Sequence, residues 1–140
     1  MRQTSLRNRQ NAFTLVELLI VIIIIAVLAA IAIPKFSNST TRSKESALRS
    51  NLKLVRNAVD LFRADTGLFP KDLASLSATA APAQGYDSTP TLVNITASDW
   101  RGPYLQAVPK DFDGSSELTY TTTLSGLGTV KSSISAYSSW

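Results

Sequence analysis

The sequence predicts an α+β protein, with one long N-terminal helix, half apolar and half amphipathic, packed on a small antiparallel β-sheet. Three observations lead there. Residues 13–33 form an apolar run of 21 residues broken by one charge, Glu17. As a helix such a run extends about 31 Å, enough to cross the hydrocarbon core of a bilayer. Farther along, Leu48, Leu52, Val55, Val59 and Phe62 recur at spacings of four, three, four and three, which is the one-sided stripe of an amphipathic helix. Beyond Pro70 this period disappears, and β-branched and aromatic residues gather at 118–124 and 129–137 on either side of Gly126 and Gly128.

Each element follows from local chemistry. Residues 1–12 are polar, with Arg2, Arg7 and Arg9 and no acidic residue, so they form a basic leader that keeps the N-terminus on the cytoplasmic side. Residues 13–34 are the membrane-crossing helix and 35–66 its amphipathic continuation. Pro34 lacks a backbone donor and is expected to kink or loosen the helix at the carbonyl of Ala30. Gly67, followed by Pro70, marks the helix end. Residues 67–140 then hold the loops and sheet: a short helix at 72–76, a surface loop at 77–90 rich in Ala, Ser, Thr and Pro, a turn at Trp100-Arg101-Gly102-Pro103, and two strands at 118–124 and 129–137. About 107 residues follow the apolar run, enough for one small domain.

Glu17 carries the functional argument. A carboxylate in an apolar helix is expensive to hold in hydrocarbon and persists there when it has a partner. A secretory signal is normally cut after its apolar segment, whereas the leader here ends before it. Cleavage between Ala12 and Phe13 leaves the apolar helix in the mature chain and creates an α-amino group four residues before Glu17. The amine of one subunit can then pair with Glu17 of a neighbour, so that assembly neutralises both charges.

The residues that set up this pairing, Ala12 followed by Phe13-Thr14-Leu15-Val16-Glu17-Leu18-Leu19, resemble the cleavage and methylation motif of type IV pilins and type II secretion pseudopilins. Pro34 stands where that family commonly has proline, and Ala12 where it usually has glycine. Ala64-Asp65-Thr66-Gly67-Leu68-Phe69-Pro70 and Trp100-Arg101-Gly102-Pro103-Tyr104-Leu105, followed by Val108-Pro109-Lys110-Asp111, are similar to the globular part of the major pseudopilin of type II secretion. The resemblance implies a pilin-like fold, cleavage before Phe13 by prepilin peptidase, N-methylation of Phe13, and polymerisation through Phe13, Glu17 and Pro34. The implied partners are further copies of the chain, the peptidase, an inner-membrane assembly platform, minor pilins or pseudopilins, and membrane lipid before assembly. The implied location is the bacterial inner membrane in a single pass, with the C-terminal part periplasmic or extracellular, and afterwards the filament. The alternatives are a type IV pilus pilin, serving adhesion, motility or DNA uptake, and a membrane-anchored extracytoplasmic binding module.

Members of the major pseudopilin type bind a structural Ca²⁺ in a loop between strands. Asp111, Asp113 and Glu117 offer oxygen ligands in the corresponding region; their spacing is not that of an EF-hand, and a solvated acidic turn is the other reading of the same residues. The acidic, glycine-rich C-terminal loop of that type is replaced here by residues 132–140.

Composition narrows the remaining classes. The chain carries 14 basic and 10 acidic residues, a net +4, of which the leader supplies +3, leaving 11 basic and 10 acidic side chains after it. The basic balance is therefore a topogenic signal, and no nucleic-acid partner is expected. With no His and no Cys, imidazole bases, imidazole metal ligands and thiol nucleophiles are missing, and no motif gathers serines, lysines or carboxylates into a catalytic group. An enzyme is not expected.

Overall fold

The computed structural model describes residues 13–140, and of Ser37 the backbone alone. One helix, α1 (Leu15–Thr66), takes up 52 residues. Two compact units divide the chain between Thr41 and Arg42. In the first unit the apolar part of α1 buries nothing: the large side chains from Leu15 to Ile33 are roughly half exposed or more, the state of a helix whose surroundings are lipid or other helices. The helix runs through Pro34 without interruption, as the expected continuation requires, so the lost donor there does not end it.

In the second unit α1 supplies the core. Leu48, Leu52, Val55, Val59 and Phe62, the stripe read from the sequence, are all 2% exposed or less, and Ala58 joins them. They pack against Leu73, Leu76, Leu105, Leu118 and Val130. The helix ends as expected: Gly67 has φ of +73°, where a Cβ is disfavoured, and its N–H bonds the carbonyl of Arg63 at 2.8 Å. The Thr66 hydroxyl closes the last turn by donating to the carbonyl of Phe62 at 2.8 Å.

Two small antiparallel sheets replace the single sheet expected. The first has β1 (Phe69–Pro70), β2 (Gln84–Tyr86) and β3 (Leu92–Asn94) in that order, with Phe69 opposite Tyr86 and Gly85 opposite Val93. It occupies part of the 77–90 segment expected to be loop. Gly85 explains why: a Cβ there would lie 2.7 Å from the Phe69 carbonyl oxygen, so this strand forms where a missing side chain lets backbones approach, and β-propensity gives no sign of it.

The second sheet is β4 (Thr119–Tyr120) with β5 (Val130–Lys131), Thr119 opposite Lys131 and Tyr120 opposite Val130. Both strands fall inside the expected ones but are only 2 residues each. The turn between them takes the rest of the first: the Thr121 N–H bonds Thr129 O and the Gly128 N–H bonds Thr121 O, both at 3.0 Å. Ser135–Tyr137, expected as strand, is a 3-10 helix.

Short-range chemistry fixes the loops. Asp72 caps a 3-10 helix at Leu73–Ser77 by accepting from the Ser75 N–H, close to the short helix expected. The loop at 100–105 is held through one carbonyl and one hydroxyl. Leu76 O accepts the N–H groups of Tyr104 and Leu105 at 2.9 and 3.0 Å, while the Tyr104 hydroxyl donates to Asp65 at 2.9 Å and accepts the Arg101 N–H at 3.1 Å. Burial, with Asp65 nearby, raises the Tyr104 pKa and keeps that hydroxyl protonated as a donor.

Candidate functional site: the head of the long helix

Ala12, the residue before the expected cut, lies outside the described residues. Phe13 is described and is 86% exposed just ahead of the helix. Glu17 sits in the first turn of α1, and its carboxylate is bound to the chain's own helix start. One carboxylate oxygen accepts the Thr14 N–H at 3.0 Å and the Thr14 hydroxyl at 2.8 Å, while that hydroxyl oxygen accepts the Glu17 N–H at 3.2 Å. This is a capping box, in which the N-cap threonine and the glutamate three residues on satisfy each other's backbone donors.

The arrangement has two chemical consequences. The first turn is held in helical form by its own side chains, so the helix reaches its first residues without help from a neighbour. The bonds from Thr14 reach one carboxylate oxygen, Oε2, so the Glu17 charge remains available to a cation supplied from outside. Thr14 is the residue that the sequence reading passed over. The signal was present, since Thr14-Leu15-Val16-Glu17 is the Ser/Thr-x-x-Glu pattern that opens a helix before an apolar run. Pro34, the other expected assembly residue, is exposed inside α1.

The three carboxylates considered for calcium are placed apart in function. Asp111 is 5% exposed and accepts the Phe112 N–H at 2.7 Å, the Ser132 hydroxyl at 2.7 Å, the Ser133 N–H at 2.6 Å and the Ser133 hydroxyl at 2.8 Å. Burial pushes its pKa up, but the Ser132, Phe112 and Ser133 hydrogen bonds outweigh it and leave the carboxyl below the usual range. Asp113 is exposed and closes its own turn through the Ser116 hydroxyl and the Ser115 and Ser116 N–H groups, which hold it well below the carboxylate range. Glu117 pairs with Lys110 at 3.3 Å across an antiparallel bridge, at the surface. Among the described residues no three metal-ligating side chains converge.

Residues 7–33 match the prokaryotic N-terminal methylation motif. Type II secretion system core protein G of Aeromonas hydrophila is 27% identical over 112 residues, covering 76% of this chain and 78% of the relative. The same protein of Escherichia coli is 27% identical over 107 residues, covering 74% and 67%. The type IV major pilin of Myxococcus xanthus is 47% identical over 62 residues, 44% of this chain and 28% of that one. No solved structure matches the chain significantly. The methylation motif contains the capped Glu17, and the likeness to core protein G covers about three quarters of the chain, so the chain resembles type IV pilins and, over its greater length, core protein G of type II secretion systems.

Proposed function

We propose that the chain is a structural subunit of a type IV pilus-like filament, namely the pseudopilus of a type II secretion system. Prepilin peptidase removes residues 1–12, the α-amino group of Phe13 is methylated, and the subunit waits in the inner membrane with its apolar helix in lipid. Assembly then moves that helix from lipid into the filament core, where Glu17 meets the amine of a neighbouring Phe13. Methylation leaves the amine cationic at neutral pH, so the pair survives the modification. Minor pseudopilins and an inner-membrane assembly platform are the remaining partners of this scheme.

The observation that carries the reading is the head of α1, where one carboxylate sits in the first turn of a helix whose apolar side chains are exposed along its length through Ile33. A soluble binding domain has no use for such a helix, and a plain membrane anchor has no use for the charge. The pilus alternative is favoured by likeness to type IV pilins, 47% identity to the M. xanthus pilin over 44% of this chain and 36% to a Dichelobacter nodosus fimbrial protein over 60% of it, but core protein G matches about three quarters of the chain. Core protein G likeness covers 112 residues and so continues into the globular part.

The processing step is tested by intact mass and N-terminal peptide analysis of the protein isolated from membranes. The expected mature chain begins at Phe13 and carries a methylated amine. A chain beginning at Met1, or one cut after Ala32, contradicts the proposal.

A further inference from the structure

The resemblance implies a calcium ion at Asp111–Glu117, and the donor geometry does not fit one. Calcium takes six to eight oxygens at about 2.3–2.6 Å and needs lone pairs turned toward it. Both Asp111 oxygens already accept hydrogen bonds from groups of this chain: Oδ1 from the Phe112 N–H and the Ser132 hydroxyl, Oδ2 from the Ser133 N–H and hydroxyl. A cation binding those oxygens would have to displace these donors or compete with them. Asp113 is turned to Ser115 and Ser116, and Glu117 to Lys110.

Residues 132–140 supply the contacts that make a cation unnecessary. At one end of the segment, Ser132 is 3% exposed and bonds Asp111. At the other, the Arg49 guanidinium lies 4.1 Å above the Trp140 ring, and Arg56 donates to Trp140 O and, at 3.1 and 2.8 Å, to Val130 O. Between them the Tyr137 ring packs at a tilt against Phe112 and Trp140, with centroids 4.6 and 4.7 Å away, and its hydroxyl donates to Glu45. Arg49 of α1 thus meets an aromatic ring of the segment and Arg56 a backbone oxygen of it, while the carboxylate meets its serines.

We infer that residues 132–140 form a metal-independent clasp, in which Ser132 and Ser133 occupy the Asp111 carboxylate and α1 arginines hold the far end, so that the globular part folds without a divalent cation. This does not depend on the filament reading, because its test is the folding of the subunit alone.

Thermal unfolding of the full mature chain in detergent micelles, followed by its tryptophan signal, is compared in excess calcium and in excess chelator. The wild-type midpoint is expected to be the same in both. Replacing Ser132 and Ser133 together by Ala strips a buried carboxylate of charge-assisted bonds and is expected to lower the midpoint by roughly 5–15 °C in either solution. A wild-type midpoint that rises with calcium overturns the inference, as does a double variant that melts like wild type. The calcium comparison uses the wild-type chain alone, so it decides the matter even where the variant fails to accumulate.

Discussion

At the scale of single residues, Glu17 and Thr14 act as one unit. The carboxylate that the proposed assembly uses is a helix cap in the subunit, and the threonine fixes where it points. Thr14→Ala removes the hydroxyl that bonds both the Glu17 carboxylate and its N–H. Loss of an N-cap costs about 1 kcal/mol, which corresponds to roughly fivefold faster amide exchange in the first turn of α1 in micelles. Thr14→Ser should restore wild-type exchange. Equal exchange in Thr14→Ala and wild type would show that the capping box contributes nothing to the helix start. A tighter hold on Glu17 from inside the chain also means that a neighbour's amine meets an oriented carboxylate, which lowers the entropy lost on pairing.

At the scale of elements, the amphipathic half of α1 separates packing from surface cleanly. Leu52 is 1% exposed and Leu54 is 52% exposed, two residues apart on one helix. Leu52→Ala should therefore destabilise the globular part by about 2–5 kcal/mol, whereas Leu54→Ala should fall within about 0.5 kcal/mol of wild type. Thermal unfolding in micelles measures both, and similar losses at the two positions would mean that α1 is packed by a different face. This face was legible in the sequence because a helix repeats its pattern over many residues, so five apolar positions at the right spacing leave little choice. The strands were not, because a pairing of two or three residues has no period to read. β2 depends on the space left at Gly85 and β5 is cut short because Ser132 turns to Asp111, contacts made with residues 16 and 21 positions away, respectively. In the candidate site, Phe13 and Glu17 lie within the methylation motif at 7–33 and their order along the chain suffices to propose them. The role of Asp111 could not, since its partners Ser132 and Ser133 carry no local signature of their own.

At the scale of the whole molecule, the chain is built to exist in two surroundings. In the proposed scheme the exposed apolar side chains from Leu15 to Ile33 are matched by lipid before assembly, and Glu17 is the one charge among them. In the proposed filament the same side chains are matched by neighbouring helices, and the charge by the amine that cleavage before Phe13 would make. In the proposed scheme the leader, a cut before Phe13, the carboxylate and the apolar length are parts of one device that serves assembly. A partly buried pair of this kind is screened by salt far less than a surface pair, so it can register one subunit on the next inside the filament. The most direct test of that claim is filament yield from Glu17→Ala, obtained by shearing or electron microscopy and normalised to membrane-bound, N-terminally processed protein. The account predicts normal membrane levels and normal cleavage but no filaments, with Glu17→Gln also defective because it keeps the shape and loses the charge. Wild-type filament yield from Glu17→Ala would contradict it.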